Sequence, residues 1–245
     1  MNFRGSGIIT VGDELVLGEI ENRNQDFMAR ELRKAGLPAS IAITVSDDPS
    51  EISTWIKLLL EDGYRPLFIS GGLGGTHDDR TRDAIAMALD LPLERHAECM
   101  EVLKRSYGDR LNAQRSRMAD LPPGAQLISN LKGAPGFSIH SIFAFPGFPS
   151  MLHPMLKDVL SNLKSEYEVD MLQESFDCTE GTLALEVEAF SSQWPGIQVG
   201  LYADPNPGIR RVSVKIRTQG KVGPELKQAF RELTARLKTL AQNPI

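Results

Sequence analysis

Three short apolar runs, "SGIITV" at 6–11, "ASIAITV" at 39–45 and "PLFIS" at 66–70, constrain the fold more than any other feature of the chain. Each is rich in β-branched residues and lacks a polar alternation, so each reads as a strand buried on both faces. The segments between them carry helical spacing. In the first, Met28, Leu32 and Ala35 fall at i, i+4 and i+7, Asn22 with Gln25 forms a capping box, and Gly36 followed by Pro38 supplies the stop. In the second, Asp48-Pro49-Ser50-Glu51 provides an N-cap, a proline at N1 and an acid at N3; the apolar face is Ile52, Ile56, Leu59 and Leu60, and Gly63 ends it. Strand, helix, strand, helix, strand predicts an α/β fold with a doubly wound, mostly parallel sheet covered by helices.

Beyond a further helix near 82–89, "HAECMEVLKRSYG" and "LNAQRSRMADL" read as helical, "AQLIS" as a strand, and "GFSIHSIFAF" at 136–145 as a hairpin. "PGFPSMLHPMLKDVLSNL" opens on a proline-glycine turn and becomes amphipathic. Past about residue 165 the texture changes to a β-α-β-β-α order, which predicts a first domain at 1–164 and a small α+β domain at 165–245. In that second part Arg211, Lys215 and Arg217 fall on one face of a strand and Arg210 on the other, read as a solvated sheet face opposite cross-strand acids.

Charge and cysteine usage exclude several classes of function. The formal net charge is −5, so phosphate-backbone binding to nucleic acid is not the expected task. Cys99 and Cys178 are far apart and form no CxxC pair, which suggests neither a disulfide framework nor a zinc site. No stretch of the chain runs long enough without polar interruption to cross a membrane, and the expected location is cytoplasmic.

In a doubly wound sheet, ligands bind beyond the carboxyl ends of the strands. Three loop segments are expected there: Gly12 to Gly18, Ser46 to Asp48, and Gly71 to Asp79. The last, "SGGLGGTHDD", is a strand-to-helix loop in which Gly71, Gly72, Leu73, Gly74, Gly75 and Thr76 can turn successive N–H groups on a phosphate. A flexible turn accounts for the glycines equally well. Asp78 and Asp79 would repel a phosphate unless a divalent cation lies between, and Mg²⁺ is commonly held by one or two carboxylates plus phosphate oxygens. Asp13, Glu14 and Asp47 sit at the ends of the first two strands and can share such an ion, whereas Asp48 is explained as a helix cap. Thr81 reads as an N-cap with Asp83 in the first turn. His77 is either a surface residue or a base, Asn22 a cap, and Asn24 a candidate to face the ligand. "GAPGF" with Gly133, and "FPGFPS" with Pro146 and Gly147, are either pocket walls or turns.

The ordered set "VGDELVLGEIENRNQDFMARELRKAGL", "VSDD", "ISGGLGGTHDDRTRDAIAMAL", "LKGAPGF" and "FPGFPSMLHPM" resembles the molybdenum-cofactor-biosynthesis (MoaB/Mog-like, molybdopterin-binding) domain in its CinA amino-terminal form, over residues 6–164. The remainder is similar to the small domain of stand-alone members, and no segment resembles the nicotinamide-nucleotide amidase domain of full-length CinA. The resemblance implies a phosphate-binding glycine loop, a Mg, Mn or Co cofactor, a nucleotide or pterin ligand and a homo-oligomer. It implies Asp79, Asp47 and Asp13 as metal ligands and Gly71, Gly72, Gly74 and Thr76 as loop donors; Gly12, Asn24, Gly133, Pro146 and Gly147 are added as candidates for the binding set from their places beside these segments. The implied activity is metal-dependent cleavage of a dinucleotide diphosphate such as ADP-ribose or FAD, with Asp78, His77 or Asp47 as catalytic side chains. The alternatives are molybdopterin binding or adenylyl transfer, and a noncatalytic nucleotide module. Family loops usually read GGxGPT; Gly75 in place of proline restores an N–H and is expected to loosen the loop.

Overall fold

A computed structural model describes residues 4–163, 169–195, 197–206, 208–219 and 222–242. The chain divides into two compact units, Met1–Ser165 and Glu166–Ile245. The expected domain boundary between residues 164 and 165 lies outside the described residues.

The first unit runs β1 (Gly5–Val11), α1 (Asp13–Val16), α2 (Arg23–Lys34), β2 (Ala39–Val45), α3 (Pro49–Glu61), β3 (Tyr64–Ser70), α4 (Thr81–Ala88), β4 (Glu94–Arg95), α5 (Ala97–Tyr107), α6 (Ala113–Ser116), β5 (Asp120–Leu121), β6 (Gln126–Ile128), β7 (Gly136–Ile139), β8 (Ile142–Phe145) and α7 (Pro149–Asn162). Its main sheet has the order β2-β1-β3-β8-β7-β6. Strands β2, β1, β3 and β8 are parallel, and the β7–β8 hairpin turns the last two strands antiparallel. The chain reverses direction across the sheet between β1 and β3, and that switch opens a crevice at their carboxyl ends.

Alternate side chains of the central strands feed two cores, as strands covered on both faces require. Ile9, Val11, Leu67 and Ile69 pack with Ile52, Ile56 and Leu59 of α3 and Ala84, Ile85 and Ala88 of α4. Ile8 and Phe68 pack on the other face with Met28 and Leu32 of α2 and Leu152, Met155 and Leu156 of α7. Ile8, Ile9, Phe68 and Ile69 are fully buried, and each contributes about 1.5–3 kcal/mol of apolar transfer free energy.

Two of the three capping predictions match. Asn22 Oδ1 accepts from the Gln25 amide at 3.2 Å, and Asp48 Oδ1 accepts from the Ser50 and Glu51 amides at 2.7 and 3.0 Å. Three local expectations are corrected. The segment after β1 is one helical turn, α1, rather than an open loop. Only residues 113–116 of "LNAQRSRMADL" form an α-helical turn, capped by Asn112; a 3₁₀ turn at 117–119 then leads into β5. Thr81 does not cap α4. It is the first helical residue, one position past the cap, and it is fully buried with its hydroxyl donating to Gly71 O at 2.8 Å, a tertiary bond in place of a capping role.

His153 of α7 stacks on Phe27 of α2 with ring centroids 3.6 Å apart, and its Nε2 is buried without a hydrogen-bond partner. Burial, with Lys157 and Arg30 adding positive charge, holds its pKa below the ordinary 6.5 against the pull of Glu31. The unfolded chain therefore takes up a proton that the fold refuses, so this contribution to stability is present above pH 6.5 and is lost as the pH falls through the lowered folded value. Comparing urea midpoints at pH 8 and pH 5.5, His153→Leu should lose less stability on acidification than the wild type. An unchanged acid slope would show that this ring carries no linkage.

The second unit runs β9 (Val169–Phe176), α8 (Glu180–Gln193), β10 (Gln198–Ala203), β11 (Val212–Gln219) and α9 (Pro224–Gln242), the β-α-β-β-α order read from the sequence. Its antiparallel sheet, β10-β11-β9, buries Val212, Val214 and Ile216 with Leu183, Val187 and Phe190 of α8 and Leu226, Phe230, Leu233 and Leu237 of α9. Opposite Lys215 lie Gly200 and Gln173, and opposite Arg217 lie Gln198 and Met171, so the expected cross-strand acids are not there. Both cations instead flank the Tyr202 ring, at 4.9 and 5.1 Å from its centroid. Arg210 and Arg211 precede β11 rather than alternating along it, and Arg211 pairs with Asp177 at 2.9 Å. Among the described residues no helix is long and apolar enough to cross a membrane.

Candidate functional site

The carboxyl ends of β1, β2, β3 and β8 deliver four segments to one cleft of about 590 Å³. Its walls include Gly12 and Glu14 after β1, Asp47 after β2, the loop from Gly71 to Thr76 with Asp78 and Asp79 after β3, and Pro146 and Gly147 after β8. A second cleft of about 400 Å³ adjoins it, sharing Val11, Glu14, Ile20, Gly147 and Pro149. Close approach of the strand ends needs small residues. A Cβ at Gly71, which has φ +109°, would fall within contact distance of the Val11 carbonyl oxygen, and one at Gly147 would lie 3.4 Å from Gly71 Cα.

The glycine loop is held from within and from below. Asp79 accepts from the Gly74 amide at 2.7 Å and the Thr76 amide at 2.8 Å, and also from the Thr76 hydroxyl. Two loop amides expected to grip a phosphate thus grip a carboxylate of the protein, which takes the place an anion would occupy. Gly74 is required for this, because a Cβ there would collide with the Asp79 carboxylate. Beneath the loop, Arg82 Nη1 donates to Leu73 O at 2.6 Å, and Nη2 donates to Gly74 O at 2.7 Å and to Asp79 O at 3.4 Å. Gly75 packs against α6, where an added Cβ would lie 2.7 Å from Gln114 O. The tip at Gly75 thus rests on backbone, and the peptide units before it are tied to α4.

Carboxylates crowd the opposite wall. The Asp13 amide donates to Asp47 Oδ2 at 3.0 Å and the Asp47 amide to Asp13 Oδ1 at 3.2 Å, a reciprocal pair that joins the ends of β1 and β2. Burial raises the pKa of Asp47, and the neighbouring carboxylates of Asp13, Glu14 and Asp78 raise it further, against the bond from the Asp13 amide. Among the described residues no three His, Cys, Asp or Glu side chains group closely enough to hold an ion by themselves. The donor set consists of hard carboxylate oxygens, and an ion such as Mg²⁺ takes only one or two of these beside phosphate oxygens and water.

The remaining sequence-based candidates separate by position. His77 is turned to solvent, with its side chain 96% exposed and 3.8 Å from Asp78, and it does not line the cleft. Asn24 lines the smaller cleft and commits its amide nitrogen to Gly147 O at 2.5 Å and Ser70 Oγ at 3.1 Å. Gly133 is buried behind Met151 and Tyr107, 3.5 and 3.7 Å from where its Cβ would stand, while its neighbour Ala134 lines the cleft. Tyr107, Phe148, Met151 and the buried Arg82 were not among the predicted site residues, whereas Glu14, a candidate at the end of β1, lines both clefts. Arg82 carries one signal in retrospect: it shares a helical stripe with Ile85 and Leu89 at i, i+3 and i+7.

Residues 7–165 match the family model described as "Probable molybdopterin binding domain". A protein of Metallosphaera sedula is 30% identical over 96% of this chain and 93% of its own length. A CinA-like protein of a Cyanothece strain is 37% identical over 62% of this chain, and the match spans 38% of that protein's length. The crystal structure of CinA from Thermoplasma acidophilum superposes with a TM-score of 0.62 at 30% identity, covering 65% of this chain and 99% of that one. The chain belongs to the molybdopterin-binding domain family and, within it, is similar to CinA-like proteins.

Proposed function

We propose that the larger cleft binds the diphosphate of a dinucleotide, such as ADP-ribose or FAD, and hydrolyses it with a divalent cation. The observation that supports this most is the meeting, in one cleft, of a braced glycine loop and a carboxylate wall in which burial, and then the neighbouring acids, raise the pKa of Asp47. Like charges brought together in this way are relieved by a cation, and a cation in turn admits a phosphate. One or two of Asp47, Asp79 and Asp13 would hold Mg²⁺, Mn²⁺ or Co²⁺, with phosphate oxygens and water as the other ligands. When bound, such an ion supplies polarisation of the P–O bond and a lowered pKa for the attacking water. The loop N–H groups orient the phosphate, and Asp78, which lines the cleft, accepts the proton of that water.

The test is incubation of the protein with each metal and with ADP-ribose, FAD, NAD and ADP-sugars, followed by assay for AMP. AMP from at least one of them is expected, and none from any of them overturns the hydrolase reading. Nucleotide binding without AMP would leave a noncatalytic module. A molybdopterin ligand is the second reading, favoured by the description of the family model, and release of a fluorescent pterin on heating would select it.

A homo-oligomer is part of the same proposal. It is supported by the exposed apolar side chains of Val16, Leu17, Ile20 and Phe148, of which Ile20 and Phe148 line the cleft. Light scattering should give a mass above the monomer's 27.0 kDa, reduced by Leu17→Glu. A monomeric wild type would remove this element.

A further inference from the structure

We propose that Arg82 and Gly75 act as a pair: Arg82 is a positioning residue that aims the Gly75 N–H outward, making it an anion donor of the glycine loop.

The argument rests on peptide geometry. In a trans peptide the C=O and the following N–H point in opposite directions. Arg82 holds the carbonyls of Leu73 and Gly74 from below, at 2.6 and 2.7 Å, so the N–H groups of Gly74 and Gly75 point away from it. Gly74 N–H is taken by Asp79 at 2.7 Å. Gly75 N–H donates to no protein acceptor among the described residues, and Gly75 lines the cleft. Arg82 is 3% exposed and forms no carboxylate pair among the described ion pairs; its hydrogen bonds go to loop carbonyls, with the charges of Asp79, Asp83 and Asp120 acting on it from farther off. A cation on the carbonyl side polarises each peptide unit and strengthens its N–H as a donor. Its field adds attraction for an anion on the far side of the loop. A neutral side chain at position 82 would leave two carbonyls without a charged partner and the loop without that field. A proline at position 75 would remove the donor itself.

This deepens the diphosphate reading of the same cleft, and the experiment separates the two. Inorganic pyrophosphate in Mg²⁺ buffer is titrated calorimetrically into the wild type and into two matched pairs, Gly75→Pro with Gly75→Ala, and Arg82→Gln with Arg82→Lys. Both Gly75 variants place a Cβ near Gln114 O, but only proline lacks the N–H. The expectation is affinity about tenfold weaker for Gly75→Pro than for Gly75→Ala, and about tenfold weaker for Arg82→Gln than for Arg82→Lys, which keeps the charge. Amide exchange of residues 72–79 should be about tenfold faster in Arg82→Gln than in the wild type. Equal affinity within either pair overturns the inference, as does unchanged loop exchange in Arg82→Gln, and the Gly75 pair decides if the Arg82 variants do not fold. Pyrophosphate binding with these differences but without AMP release from dinucleotides would overturn only the hydrolase reading. A wild type that binds no pyrophosphate overturns both.

Discussion

Gly71→Ala should cost the first unit about 3 kcal/mol or more, the sum of a left-handed backbone penalty and a forced separation of packed backbone. Gly71 has φ +109°, and its missing Cβ would stand against the Val11 carbonyl oxygen. Nothing nearby yields cheaply. Gly71 N donates to Phe145 O at 3.1 Å, and Gly71 O accepts from Thr81 at 2.8 Å, so the residue is tied to β8 and α4 while lying beside the end of β1. The effect can be followed at Trp55, which packs against the core of the first unit, after Trp194 of the second unit is replaced by phenylalanine. The urea midpoint should fall without a change in slope. A midpoint equal to that of the Gly71 protein would mean that β1 and β3 separate freely at their ends, contrary to the packing described.

Asp79→Ala should reduce AMP release by about a hundredfold or more, since displacement of a reacting group by about 1 Å can cost that much. The carboxylate gathers the Gly74 amide, the Thr76 amide and the Thr76 hydroxyl, so its loss affects the loop whether or not it also contacts a cation. Two variants distinguish the roles. Asp79→Asn keeps one carbonyl acceptor for the loop but loses the charge. If Asp79 serves only the loop, Asp79→Asn should recover much of the rate; if it also holds the cation, the rate should stay low and the metal concentration needed for half activity should rise. Full activity in Asp79→Ala would remove Asp79 from the site.

Local chemistry made much of this legible in advance. The caps at Asn22 and Asp48 each depend on groups within three residues, and both form as the spacing predicts. The runs at 6–11 and 66–70 became β1 and β3, covered on both faces in the middle of the sheet, whereas the run at 39–45 became β2, an edge strand in which only Val45 is buried, so its expected double burial is corrected. Thr81 shows where such reasoning stops. As a threonine beside a helix start it reads as a cap, yet its hydroxyl reaches Gly71 O, ten positions away, and no local pattern announces that acceptor. Asp79 is similar: its partner amides lie only three and five residues away, but the turn that brings them to it depends on Arg82 and α6.

The sequence by itself determined the order of elements, the doubly wound sheet, and the arrival of carboxylates and glycines at one end of it. Those follow from periodicity and from the rule that parallel strands share a carboxyl end. Only the tertiary structure decided the division of labour there. It turned His77 to solvent, spent two loop amides on Asp79, placed Asp47 among other acids, and set a buried Arg82 under the loop. The physical reason is that hydrogen-bond partners and desolvation are set by which distant segments meet, and burial fixes that only when β1, β2, β3 and β8 lie side by side.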